Sequence, residues 1–259
     1  MTNAINAQQT QTIQQTLANK VALVTGGSRS IGAAIAKRLA ADGAVVALTY
    51  SSSPEKAQEV VTQIQQAGGK AVAIKADAGN SAEVQNAVAQ TIAEFGRLDI
   101  LVNNAGTAIV KNLADFTLAD FDRIVDVNVK GVFVAIQEAS KHLQQGGRII
   151  NIGSINSDYV PYAGGALYVL TKAAIAGLTK ALARDLGPRG ITINNVQPGP
   201  TDTDMNPANG EFAQYARSYI ALERYARTDE IADTVAYLAS PGASYITGAN
   251  IAVDGGYSA

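Results

Sequence analysis

From Lys20 onward, short continuous apolar runs of strand length alternate with amphipathic segments of helix length, and this alternation constrains the fold more than any other feature of the chain. The strand-length segments are Val21-Ala22-Leu23-Val24, Val45-Val46-Ala47-Leu48, Ala71-Val72-Ala73-Ile74, Asp99-Ile100-Leu101-Val102, Arg148-Ile149-Ile150-Asn151-Ile152, Ile191 to Val196 and Ala249 to Val253, of which the first three are apolar throughout. A strand that is apolar at every position, not every second one, is buried on both faces, the mark of a parallel sheet covered by helices. The helical segments between them run from Ile31 to Asp42, from Ser53-Pro54-Glu55 to Gly68-Gly69, from Ser81 to Phe95, from Thr117 through His142, from Tyr168 to Leu186, and from Asp229 to Leu238. Proline in a first turn and glycine past a last turn are the expected punctuation.

This order predicts an α/β protein, a doubly wound parallel sheet of Rossmann type in three α/β/α layers. No linker-like stretch interrupts residues 19–259, so they are read as a single domain. The first 18 residues are polar and Gln-rich, without the apolar core of a secretion signal, and are expected to form a flexible arm. Ser154 to Ala166 and Pro198 to Arg227 are the longer irregular stretches, and long loops in a compact domain are usually functional.

Composition narrows the chemistry. The chain of 259 residues is 47% hydrophobic and 16% charged, enough apolar material for a sizeable core. Its formal charge is −2 with no basic block, which argues against nucleic acid as a partner. Cysteine is absent, so disulfides, thiolate metal sites and Cys nucleophiles are excluded, in keeping with a cytoplasmic setting. His142, the only histidine, rules out His-cluster metal sites and reads as a surface residue near a helix end. No apolar run approaches 18 residues, so no membrane span is expected.

Two places carry the chemistry. Thr25-Gly26-Gly27-Ser28-Arg29-Ser30-Ile31-Gly32 lies between the first strand and first helix, where backbone N–H groups and a helix N-terminus can cradle a diphosphate. An ordinary strand–helix turn could hold the same residues; the position in a βαβ unit favours the cradle. A carboxylate at the end of the second strand would bind a ribose 2′-OH and repel a 2′-phosphate. This chain has Tyr50, Ser51 and Ser52 there, with Arg29 nearby, so NADP(H) is the expected cofactor, unless Arg29 is a solvated loop residue.

The second place is Tyr168 and Lys172, four residues apart and therefore on one helix face. A fixed positive neighbour is expected to pull the phenol pKa down from about 10. An aromatic packed under a solvated lysine would look the same in isolation.

With these residues in hand, residues 19–257 resemble the short-chain dehydrogenase/reductase family. The motifs that carry the resemblance are the Thr25-to-Gly32 cradle, Asn103-Asn104-Ala105-Gly106, Asn128, Ser154, Tyr168 with Lys172, and Pro198-Gly199. The chain looks most like the bacterial 3-oxoacyl-(acyl-carrier-protein) reductase and carbonyl reductase branch. Its Gln197-to-Gly210 stretch also resembles a bacterial member associated with biofilm dispersal.

The resemblance implies hydride exchange between NADP(H) and a carbonyl/alcohol pair, with a small-molecule carbonyl substrate and a homotetramer built on the two long helices. Tyr168 would be the general acid, and Lys172 would hold the nicotinamide ribose. Ser154 would orient the carbonyl oxygen, and Asn128 would anchor a relay water or simply bond a neighbouring carbonyl. Gly26, Ser28, Arg29, Ser30, Ile31 and Gly32 would hold the diphosphate. Asn103, Ala105 and Gly106 would line the cofactor, with Asn103 near the adenine ribose. Asp77 would contact the adenine or serve as a turn residue. Pro198, Gly199, Thr201 and Thr203 would border the nicotinamide. Ile155, Asn156, Tyr162 and residues 205–225 would form the substrate pocket, with Arg217 and Arg224 as the candidate rim for an acyl carrier protein. Two positions depart from the family pattern: Ser30 stands where the middle glycine of the cradle is usual, and Thr201 replaces an aliphatic residue. The other reading is a nucleotide-binding regulator on the same fold.

Overall fold

The computed structural model describes residues 15–259. Seven strands, β1 (Val21–Val24), β2 (Val45–Tyr50), β3 (Lys70–Lys75), β4 (Ile100–Asn103), β5 (Arg148–Ile152), β6 (Thr192–Pro198) and β7 (Asn250–Val253), form one sheet. Their order is β3-β2-β1-β4-β5-β6-β7 and every pairing is parallel. The chain reverses its winding between β1 and β4, which opens a crevice beyond the carboxyl ends of those strands.

Period-two alternation divides the core between two faces. Ala22, Val24, Val46, Leu48 and Ile150 face α1 (Ser30–Ala41), α2 (Pro54–Gln66) and α8 (Thr228–Ala239). Leu23, Ala47, Leu101, Ile149 and Ile193 face α3 (Ser81–Phe95), α5 (Gly131–Ser140) and α6 (Ala166–Leu186). Each fully buried Leu or Ile stabilises the fold by about 1.5–3 kcal/mol relative to exposure, so both layers hold the strand ends firmly.

Local sequence sets the helix limits. Asn80 caps α3 by accepting from the Ala82 and Glu83 N–H groups, and Gly96, at φ 78°, ends it in a left-handed conformation. The long segment from Thr117 is not one uniform helix. A Thr117/Asp120 capping box opens α4 (Leu118–Val125), a π turn spans Asp126–Lys130, and α5 follows. The Gly131 N–H bonds Asp126 O, five residues back, and a Cβ on Gly131 would collide with Ala78 O. Close approach of the β3–α3 loop therefore requires glycine here. His142 lies past the end of α5, with Nε2 3.8 Å from Glu138 Oε1.

Two further expectations are corrected. Leu17 is 1% exposed in the first core layer, and its N–H donates to Asp42 O at 2.8 Å. The fold thus begins before residue 19; the rest of the expected arm, residues 1–14, lies outside the described residues. The 198–227 stretch contains a helix, α7 (Glu211–Arg217), whose Ala213 and Ala216 join Ile155, Ile220, Tyr225 and Tyr257 in a third apolar cluster. The α6 segment meets the length and composition of a membrane-crossing helix, with a mean hydropathy of 1.3. Alanines, leucines, valine and isoleucine raise that value, and the helix packs along β6.

Candidate active site

The cradle is built by interlocking hydrogen bonds between the β1 and β4 loops. Asn104 Nδ2 donates to Thr25 O and Gly26 O, both at 3.0 Å, and Thr25 Oγ1 accepts from the Asn104 and Ala105 N–H groups at 3.0 and 3.1 Å. Gly26 N–H donates to Thr49 Oγ1 at 3.0 Å. A Cβ on Gly32 would collide with Gly26 O and Asn104 Nδ2, so the helix can approach the turn only through glycine. Asn104, Thr25 and Thr49 thus shape the cradle; the first two lie within its sequence motifs, but none is expected there for its side chain. A threonine ending one strand and an asparagine starting the facing loop were the available signal.

Ser30 adopts φ 47°, the left-handed conformation that glycine takes without cost. The usual glycine at this position is explained by its backbone, and Ser30 meets the same demand with strain of about 1–2 kcal/mol. Its hydroxyl accepts from Asp204 N–H at 3.2 Å. Ser28 is half-buried in the same turn, while the Ile31 side chain packs on the core, leaving its N–H as its polar contribution. Helix α1 has no side-chain cap and no acidic residue in its first turn.

At the far end of the crevice, Ser51 and Ser52 are exposed past β2, and Tyr50 packs against the core. Arg29 pairs with Asp204 at 3.6 Å. Asp77 is held by Arg123 through two contacts of 3.1 and 3.2 Å and by Gly79 N–H at 2.9 Å. The Arg123 guanidinium, then that N–H, hold its carboxyl below the usual range. Asp77 is thus an ion-pair clip between the β3 loop and α4 as well as a turn residue.

Asn103 is tied into the sheet: its side chain is 3% exposed and donates from Nδ2 to Asn151 Oδ1 at 2.9 Å. Alternation dictates this: β4 ends at Asn103, whose register partner is Asn151, and side chains in register share a face.

The chemical corner joins three elements. Tyr168 and Lys172 lie on the first turns of α6, Ser154 follows β5, and Asn128 lies in the π turn, where an extra residue redirects side chains. Ser154 Oγ is hydrogen-bonded to the Tyr168 phenol. It also accepts from Asn156 N–H at 3.1 Å, while Asn156 Nδ2 donates to Tyr159 O and Tyr162 OH donates to Asn156 Oδ1. Asn156 thus positions the serine from behind.

Burial pushes the Tyr168 phenol up to about 12, against the lowering effect of Ser154. The expectation that Lys172 lowers it is not met. Lys172 Nζ stands 5.6 Å from the ring centroid and donates to Ile152 O at 2.8 Å, and burial lowers its own pKa to about 8. Without further ligands, desolvation outweighs the pairing of the two groups.

Asn128 is 2% exposed; its Nδ2 donates to Thr107 O and Thr171 Oγ1, and its Oδ1 accepts from Thr107 N–H. Both amide hydrogens are spent within the protein. A relay water could be anchored only by the remaining Oδ1 lone pair or the backbone carbonyl. Gly106 borders this corner: a Cβ there would stand in ordinary contact, 3.5 Å from Asn128 Oδ1 and 3.7 Å from Lys172 Nζ.

Pro198 ends β6, and Gly199 lies so near the last loop that a Cβ would come within 2.6 Å of Asp254 Cα. Thr201 is buried and donates to Gly199 O at 2.9 Å, a bond that an aliphatic residue could not make. Thr203 Oγ1 accepts from Asn206 N–H, shaping the same loop. Above it stand Tyr159, Tyr215, Tyr219 and Tyr257, with neighbouring ring centroids 5.0–6.5 Å apart. Arg217 lies over Tyr225 and donates to Ala208 O, and Arg224 is held by Glu230 at 2.7 and 2.8 Å, so both candidate rim arginines have partners within the chain. Among the described residues no cluster of acids and histidine could hold a metal ion.

Switch-point crevice, glycine cradle and buried Ser–Tyr–Lys corner together define a dinucleotide-linked oxidoreductase class. Comparison with known proteins agrees. A family model described as enoyl-(acyl carrier protein) reductase matches residues 26–258. The cyclic-di-GMP-binding biofilm dispersal mediator protein of Escherichia coli K12 is 43% identical over 240 residues, 93% of this chain and 98% of its own length. The 3-oxoacyl-(acyl-carrier-protein) reductase of Staphylococcus aureus Mu50 is 44% identical, covering 92% and 97%. A short-chain dehydrogenase from Burkholderia cenocepacia, crystallised in complex with NADP, is 53% identical with a TM-score of 0.93 over 94% of this chain and 99% of that one. The chain belongs to the short-chain dehydrogenase/reductase family of oxidoreductases.

Proposed function

We propose that this protein is an NADP(H)-dependent reductase of small-molecule carbonyl compounds (ketones, aldehydes or β-ketoacyl derivatives), with Tyr168 as proton donor. The observation that carries this reading is the meeting of Tyr168, Ser154 and Lys172 beside Gly106. The residues fit the cofactor. The uncapped N-terminus of α1 leaves N–H groups for a diphosphate. Gly26, at φ 64°, and Gly32 allow close approach. No acid stands at the end of β2 to repel a 2′-phosphate.

Bound there, NADPH supplies a hydride. A phenol held up at about 12 is protonated throughout the physiological range, the form needed to protonate a carbonyl oxygen. Ser154 donates to the same oxygen and stabilises its developing charge. Lys172, beneath the ring, would hold the ribose hydroxyls of the bound cofactor.

The partnered Arg217 and Arg224 and the tyrosine-rich wall favour a free small molecule over an acyl carrier protein. Leu118, Phe121, Phe133 and Leu170 are exposed along the two long helical segments, which supports assembly as a homotetramer. The cysteine-free, mildly acidic composition suits a cytoplasmic enzyme without a nucleic-acid or membrane partner. The likeness to the E. coli dispersal mediator supports a second reading, a cyclic-dinucleotide-binding regulator with incidental turnover.

The two readings separate in one experiment. NADPH oxidation is followed with a panel of ketones, aldehydes and β-ketoacyl thioesters, and cyclic-di-GMP binding is measured by calorimetry. The reductase reading expects turnover of at least one carbonyl class. Absence of turnover with tight cyclic-di-GMP binding would establish the regulator.

A further inference from the structure

One carboxylate in the substrate-side loop reaches the end of the crevice where the adenosine 2′-phosphate belongs. Asp204 Oδ2 lies 3.6 Å from Arg29 Nη1 and 3.5 Å from Lys56 Nζ, so a single oxygen is shared by two cations from different elements. Arg29 ends the cradle, and Lys56 stands on the first turn of α2, just past exposed Ser51 and Ser52. The Asp204 backbone N–H is tied to Ser30 Oγ, which fixes the loop across the mouth of the cradle. All three charged side chains are half or more exposed, so a diffusing anion can reach them.

From this arrangement, and resting on the NADP(H) reading, we infer that Lys56 joins Arg29 as a 2′-phosphate-binding cation and that Asp204 is an internal anion the phosphate must displace. The physical case is competition for the same charges. A phosphate monoester carries more negative charge than a carboxylate and offers three acceptor oxygens, so it outcompetes Asp204 for a guanidinium and an ammonium. A carboxylate left beside the bound phosphate would repel it. Cofactor preference is therefore set by three residues, two attractive and one opposed. NADH, with a 2′-hydroxyl, has no charge with which to release Asp204.

The test is calorimetric binding of NADPH, NADH, adenosine 2′,5′-bisphosphate and 5′-AMP to the full-length protein and to the variants Asp204→Asn and Lys56→Ala. Exposed pairs of this kind are weak, so the expected changes are modest. Asp204→Asn should tighten NADPH and the bisphosphate about three- to tenfold, and Lys56→Ala should weaken them about as much. NADH and 5′-AMP should move less than about twofold in both variants, and the changes should shrink as salt rises. If the parent prefers NADPH but neither variant alters the NADPH-to-NADH ratio, the inference is overturned and the cofactor reading stands. Equal affinities for NADPH and NADH in the parent would overturn both.

Discussion

The two ends of the crevice are built on opposite principles. At the chemical end, Asn128 and Lys172 are at most 7% exposed, and Asn128, Ser154 and Lys172 each hydrogen-bond to backbone or buried side chains. At the phosphate end, the Arg29, Lys56 and Asp204 side chains are at least half exposed and meet at 3.5–3.6 Å. A buried network can fix a proton donor but tolerates little change, because any group left unpaired costs its full desolvation. An exposed ion pair contributes about 0–1 kcal/mol and can be exchanged for a ligand's charge. Chemistry is thus placed in the rigid half and cofactor choice in the adjustable half.

This contrast can be broken by substitution, beginning where the expected effect is largest. Lys172→Met removes the ammonium from beneath the phenol and should lower turnover at least about 100-fold. It should also weaken NADPH binding, read by calorimetry, while circular dichroism shows an intact fold. Asn128→Ala leaves the Thr107 N–H, Thr107 O and Thr171 Oγ1 short of partners, and should cost about 1–3 kcal/mol in denaturant unfolding. A loss below about 0.5 kcal/mol would deny that the π turn supports the corner.

Next comes pH. Lys172 titrates at about 8 in the free protein, below its ordinary value, and its protonated form is the stronger, charge-assisted donor to ribose hydroxyls. Raising pH through 8 removes that proton, so kcat/KM for NADPH should fall above about pH 8 and level below it. The phenol, at about 12, contributes no second break in this range. A flat profile to pH 9.5 would contradict the assignment. The smallest effect belongs to Ser30→Gly, which relieves left-handed strain of about 1–2 kcal/mol but gives up the bond to Asp204 N–H, worth about 0.5–1.5 kcal/mol. Unfolding free energy should change by less than about 1 kcal/mol, in contrast to Asn128→Ala.

The same division explains what could be read from sequence. Ser81–Phe95 and Arg148–Ile152 match the structure at both ends, because Asn80, Gly96, the Gly146-Gly147 pair before the strand and the Gly153 after it are local signals. The corner residues were legible from spacing and family resemblance, since Tyr168 and Lys172 share one helix. Tertiary effects were hidden. The π turn depends on Ala78 approaching Gly131 from another loop. The raised phenol pKa depends on desolvation by distant elements, and the bond from Asn103 to Asn151 on their register. Lys56 lies 27 residues from Arg29 and carries no motif, so only the folded chain brings both to Asp204.

The decisive measurement is single-turnover oxidation of saturating NADPH by an accepted carbonyl substrate, comparing the parent with Tyr168→Phe, alongside the NADPH Kd of each. Tyr168 as the proton donor requires an NADPH Kd within about twofold of the parent and a rate at least about 100-fold lower. A Tyr168→Phe rate within about threefold of the parent, at equal cofactor occupancy, would show that the proton comes from elsewhere and contradict the account.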